Sequence, residues 1–83
     1  MPIFAIEKYN ILYLMRIGEE IKERRKVLSI SQSDLAEMAG VSLATVKNIE
    51  RSTGNPSFET VAKLLEVLGM EVVFKVRNPF DQA

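Results

Sequence analysis

The sequence predicts a mainly α-helical domain of four helices that ends in a single β-strand. Three observations lead there. Apolar residues recur at threes and fours through four stretches between Tyr13 and Leu68. Serine opens and glycine closes two of those stretches, as helix caps do. After Gly69 the apolar period drops to two, the period of a strand.

Taken in order, residues 1–12 are expected to form an N-terminal arm or a short strand, because Ile3, Ala5 and their neighbours alternate. Helix one is expected from Tyr13 to Val27, with Leu14, Ile17, Ile21 and Leu28 on one side. Ser29 and Ser31 break that pattern. Ser31 can cap helix two, with Asp34 completing a weak capping box. Helix two runs from Gln32 to about Ala39. Leu35, Met38 and Ala39 face inward, with small Ala36 beside them. Gly40 ends it, since glycine accepts the left-handed conformation at helix ends. Val41 is expected to plug the core. Ser42 caps helix three, which runs to about Arg51 with Val46 and Ile49 inward. "RSTGNPS", from Arg51 to Ser57, is a loop by composition. Ser57 or Asn55 then caps helix four, from about Phe58 to Leu68. Its wide apolar stripe is Phe58, Val61, Ala62, Leu64, Leu65 and Leu68. Residues 13–69 thus make one helical unit, 70–77 a strand, and 78–83 a short tail.

A lone strand must pair its backbone groups somewhere. "MEVVFKVR" can pair with the N-terminal "IFAI" or with the same strand of a second copy. The second solution suits two-fold symmetry, the commonest in oligomers. It would bury Val72, Phe74 and Val76 between two chains, so a homodimer is expected. At 83 residues the chain is also short for a self-sufficient core.

The chain contains no Cys and no His. Disulfides and the usual zinc, haem and iron–sulfur ligand sets are therefore excluded, as are Ser-His and Cys-His nucleophile pairs. Lys, Asp and Ser occur in no catalytic spacing, and no glycine-rich phosphate loop is present. Neither an enzyme nor a cofactor is expected. No apolar run nears the roughly 20 residues of a membrane span. Glu7 interrupts the apolar start, and the basic opening and cleavage site of a signal peptide are missing. The expectation is a soluble cytoplasmic protein.

Eleven basic and 11 acidic side chains cancel, which argues mildly against a nucleic-acid partner. Distribution matters more than the sum. "KERRK", Lys22 to Lys26, is locally basic, and Lys47 and Arg51 follow. That is where a DNA-facing surface would need charge. A solvated helix face, with Glu19, Glu20 and Glu23 as neighbours, explains Lys22 and Arg24 equally well.

Two helices joined through a short glycine turn are the plan of a helix-turn-helix. Small Ala36 stands where the helices would approach closest. Inward Val46 and Ile49 leave the other face of Ser42–Arg51 exposed, and a braced α-helix fits the major groove. A plain helical hairpin has the same spacing, so spacing alone leaves both open.

"SQSDLAEMAGVSLATVKNIERSTGNPSFETVAKLLEVLG" resembles the Cro and lambda-repressor (XRE) family of helix-turn-helix regulators. The resemblance is carried by Ser31-Gln32, Leu35-Ala36, Gly40-Val41-Ser42, Ile49-Glu50-Arg51, Asn55-Pro56-Ser57 and Leu68-Gly69, within a match from about Ile17 to Gly69. It implies a lambda-repressor-like domain and a sequence-specific repressor of DNA. "STGN" stands where family members often carry glycine and basic residues, which removes some usual phosphate contacts. The ending "MEVVFKVR" resembles HipB-type antitoxins, whose strands pair across a dimer. That shorter match implies an antitoxin that represses its own operon, with a HipA-like kinase toxin as partner.

The resemblance assigns residues as follows. Gln32 is implied to contact phosphate, and Arg25 and Glu50 to form a structural ion pair between helices one and three. On helix three, Ser42, Leu43, Ala44, Thr45, Lys47 and Asn48 form the presented face, with Arg51 at its end. Leu43 and Ala44 suit thymine methyl groups, Asn48 suits adenine, and Lys47 suits guanine or phosphate. Leu43 could instead be buried by helix four or by a partner protein. Two alternatives to the antitoxin remain open. One is a toxin-neutralising or scaffold protein without DNA binding, which the neutral charge and apolar Leu43-Ala44 support. The other is a stand-alone phage-type or restriction-controller regulator.

Overall fold

A computed structural model describes residues 3–73 and residue 76. Four helices are present among them: α1 (Ile3–Val27), α2 (Gln32–Ala39), α3 (Leu43–Glu50) and α4 (Phe58–Val67). α3 packs against both α1 and α2, and α2 packs against α4. Ile21, Leu35, Ala36, Val46, Ile49, Val61, Leu64, Leu65 and Leu68 form the core. Burying each larger aliphatic side chain contributes about 1.5–3 kcal/mol.

The helix starts follow from serine chemistry. Ser31 Oγ accepts the N–H of Asp34 at 2.9 Å, Ser42 Oγ that of Thr45 at 3.0 Å, and Ser57 Oγ that of Thr60 at 3.1 Å. Each bond satisfies an N–H that the first helical turn leaves unpaired.

The helix ends share one device. After α1, Ile30 N donates to Arg25 O at 3.0 Å and Ser29 N to Lys26 O at 3.0 Å. The same pair of bonds recurs at Val41 and Gly40, at Thr53 and Ser52, and at Met70 and Gly69. Each is a Schellman closure, which needs one residue in the left-handed region. Those residues are Ser29 (φ 57°), Gly40 (φ 70°), Ser52 (φ 59°) and Gly69 (φ 69°). The next residue then turns inward, so Ile30, Val41 and Met70 pack against the core. The α2–α3 turn is short because this closure and the Ser42 cap meet with only Val41 between them.

Gly18 sets the approach of α1 to α3. It is buried, and a Cβ there would strike the carbonyl oxygen of Ile49. Ser52 Oγ donates to the Leu14 carbonyl at 3.4 Å beside it. Arg24 joins α1 to α4: its Nε donates to the Leu68 carbonyl at 2.9 Å, placing a cation at a helix C-terminus.

The structure corrects several expectations. α1 begins at Ile3, so helix occupies residues expected as an arm or short strand. No proline or glycine interrupts the chain between Ile3 and Tyr13, and the helix runs on through the cap-type residue Asn10. Among the described residues there is no strand after Gly69; Met70–Val73 and Val76 lie in irregular backbone. A strand needs a paired edge, and the described part of this single chain provides none. Phe74 and Arg77, which belong to the expected strand, lie outside the described residues. Met38 is exposed rather than inward. It sits roughly 100° around the helix from the centre of the Leu35, Ala36 and Ala39 stripe. Leu28 and Phe58 are exposed too, at the end of α1 and the start of α4.

Two stability predictions follow from the backbone. Gly18→Ala should destabilise by about 1–3 kcal/mol through overpacking, although alanine favours helix. A thermal melt unchanged or raised would contradict the close approach. Ser29→Gly should stabilise by about 0.5–1 kcal/mol by relieving a left-handed non-glycine residue that is exposed. A lower denaturation midpoint in that variant would contradict the strain.

Candidate nucleic-acid interface

α3 is held from behind and free in front. Val46 and Ile49 anchor it in the core, while Leu43, Ala44, Lys47, Asn48 and Arg51 form an exposed stripe. That spacing of one and three or four residues is a single helix face. Ser42 stands at its head and is exposed, its Oγ 2.8 Å from Thr45 Oγ1. Thr45 is half-buried. Leu43 keeps 38% of its surface exposed, so it is only partly covered.

At the far end, Arg51 folds back on its own helix. Its Nε donates to the Lys47 carbonyl at 3.3 Å and its Nη2 to Asn48 Oδ1 at 3.2 Å. Asn48 therefore offers its amide N–H outward. A two-point contact to adenine uses both amide atoms, and Oδ1 keeps a second lone pair for it beside the Arg51 bond. Beside this face, Thr45, Asn48 and Ile49 and the loop from Thr53 to Pro56 enclose a shallow hollow of about 160 Å³.

The brace behind α3 is an ion pair from α1. Arg25 Nε donates to Glu50 Oε2 at 2.7 Å and Arg25 Nη2 to Glu50 Oε1 at 2.9 Å. This two-point geometry is the strong form of the pair. Arg25 Nη1 also donates to the Ile30 carbonyl at 3.0 Å. The Glu50 side chain is only 3% exposed and that of Arg25 13%. The hydrogen bond to Glu50 raises the Arg25 pKa above its ordinary value; burial opposes this and the Glu50 charge adds to it. Gln32, half-buried at the start of α2, donates from Nε2 to Glu50 Oε1 at 3.2 Å. Glu50 thus ties together α1, α2 and α3.

Sequence reasoning missed three of these features. Gly18 signalled itself as a glycine inside a helical pattern. Arg24 reads as part of a basic run and gives no local sign that it caps α4. The Gln32–Glu50 bond spans 18 positions and has no signature in the chain. Of the expected dimer residues, Val72 and Val76 are exposed, and Phe74 lies outside the described residues.

The buried pair makes a stability prediction. Glu50→Ala strands the Arg25 charge and should cost about 3–5 kcal/mol of folding stability. It should alter sequence preference far less. Unchanged thermal stability in Glu50→Ala would contradict the pairing.

Known proteins agree with this architecture. The family model described as HTH_3, helix-turn-helix, matches residues 21–74. The chain is 42% identical over 57 residues to the HTH-type transcriptional regulator SinR of Bacillus subtilis, covering 68% of this chain and 51% of that one. It is 38% identical over 58 residues to the immunity repressor protein of Bacillus phage phi105, covering 70% and 40%. The crystal structure of an HTH_3 family transcriptional regulator from Vibrio cholerae superimposes with a TM-score of 0.70 at 27% identity, covering 75% of this chain and 35% of that one. The chain therefore spans about half or less of the length of these relatives. No helix among the described residues is long and apolar enough to cross a membrane. With the family model covering more than half of the sequence, the chain belongs to the HTH_3 helix-turn-helix family.

Proposed function

We propose that the protein is a sequence-specific DNA-binding repressor that acts as a homodimer on a palindromic operator. One observation carries this reading: α3 presents a continuous exposed face while Glu50 fixes its back to two other helices. A rigid helix with one free face is what major-groove reading requires. Ser42, Leu43, Ala44, Thr45, Lys47 and Asn48 meet base edges, and Gln32 and Arg51 meet phosphate. Leu43 and Ala44 offer only apolar contact, so thymine methyl groups are their targets.

The dimer is supported by exposed apolar surface. Phe58, Val72, Val73 and Val76 are exposed, and a groove of about 230 Å³ between Phe58, Leu65 and Val72 remains open. The segment also carries acid first and base last, with Glu71 before Lys75 and Arg77. An antiparallel copy brings opposite charges together, which favours self-pairing. Val72, Phe74 and Val76 then face the shared core. Two recognition helices about 34 Å apart would read the two operator halves.

The antitoxin role, with a HipA-like kinase toxin as partner, rests on the resemblance of "MEVVFKVR" to HipB-type endings. A stand-alone phage-type repressor is a second reading, favoured by the similarity to the phage phi105 immunity repressor. The neighbouring gene separates them: a kinase-like toxin supports the first reading and phage genes the second.

The test is fluorescence anisotropy against the DNA upstream of the gene, at several salt concentrations. Tight, selective binding that weakens steeply with salt is expected, because phosphate contacts release counterions. Binding no tighter than to random duplex would overturn the repressor reading.

A further inference from the structure

We propose that Glu50 is a positioning residue that orients the Gln32 amide for a DNA phosphate. This rests on the DNA-binding reading and names how one contact is prepared. A carboxylate only accepts hydrogen bonds. Arg25 occupies both Glu50 oxygens, and Oε1 also accepts the Gln32 Nε2–H at 3.2 Å. Reversing the amide would set the Gln32 carbonyl oxygen against that carboxylate, oxygen to oxygen. Glu50 therefore selects one of the two amide orientations. In it, Nε2 keeps a second N–H, and Gln32 makes no other side-chain hydrogen bond among the described residues. A phosphate oxygen also only accepts, so the orientation that satisfies Glu50 suits phosphate.

The arrangement explains why an amide serves here. Glutamate at position 32 would repel both Glu50 and the phosphate. A lysine would add a flexible charge with no fixed orientation. The amide joins two acceptors, one inside the protein and one on the DNA, through the two hydrogens of one nitrogen. Arg25 contributes indirectly, because its two-point grip holds the carboxylate that holds the amide.

The test is a coupling measurement on the full chain, using the DNA duplex upstream of the gene as probe. Gln32→Ala is made in the native background and in a background carrying Arg25→Met and Glu50→Met, which replaces the ion pair with apolar side chains. In the native background Gln32→Ala should weaken binding about tenfold, the scale of one charge-assisted hydrogen bond. In the second background the loss should shrink to about threefold or less. Equal losses in both would overturn the positioning role. A second readout covers a background that fails to fold: the side-chain amide protons of Gln32 in the NMR spectrum of the free native chain. One proton shifted and protected by Glu50 is expected, and two protons behaving like a free glutamine's would overturn the proposal. No DNA binding by the native chain would sink the DNA reading and the phosphate contact with it. The free-chain spectrum would separately report whether Glu50 holds the amide.

Discussion

The contact between Arg25 and Glu50 organises the domain. Glu50 ends α3, the helix with the free face, and its carboxylate is the meeting point of three helices. A buried ion pair adds little net stability compared with apolar packing, because both charges lose water. Its value is geometric. An apolar contact lets a helix slide or roll, whereas a two-point guanidinium–carboxylate contact fixes distance and angle together. The third donor of Arg25, on the Ile30 carbonyl, extends the same hold to the α1–α2 turn. The face of α3 proposed to read DNA needs firm placement, and this contact fixes α3 against α1 and α2.

The backbone supports the contact from both sides. Gly18 lets α1 lie directly on the last turn of α3, which brings Arg25, two turns further along, to Glu50. The closure at Gly40 and the cap at Ser42 hold the two ends of the α2–α3 turn, so α3 cannot rotate freely about its entry. Arg24 at the end of α4 locks the remaining helix to α1. Adjacent residues of one basic run thus serve two helix ends.

What the sequence made legible was local chemistry. Ser31, Ser42 and Ser57 cap within three residues of themselves, and Gly40 and Gly69 close a single turn, so α2 and the start of α4 could be placed closely. Ile21, Leu35, Val46, Val61 and Leu64 follow from helical period. The rest depended on groups far apart in the chain or on a partner. Pro2 directly before Ile3 is a helix-start residue, but the alternation around Ile3 and Ala5 read as a strand and hid that mark. Met38 looks apolar in sequence, but the neighbouring small residues Ala36 and Ala39 took the core face. Alternation from Met70 to Arg77 is a request for a strand partner, and the described chain does not answer it. The presented stripe on α3 was legible from Val46 and Ile49 alone. The engagement of Asn48 by Arg51 and of Gln32 by Glu50 was not, because hydrogen-bond orientation needs coordinates.

The central claim is that the free face of α3, with Gln32 beside it, is the DNA-reading surface. The most direct measurement is backbone and side-chain NMR of the chain titrated with the duplex upstream of its gene. The account predicts large shifts from Ser42 to Asn48 and at Gln32, with Ile21, Val61 and Leu64 nearly unmoved. Shifts confined to Phe58, Met70 and Val72, or no shifts at all, would contradict it.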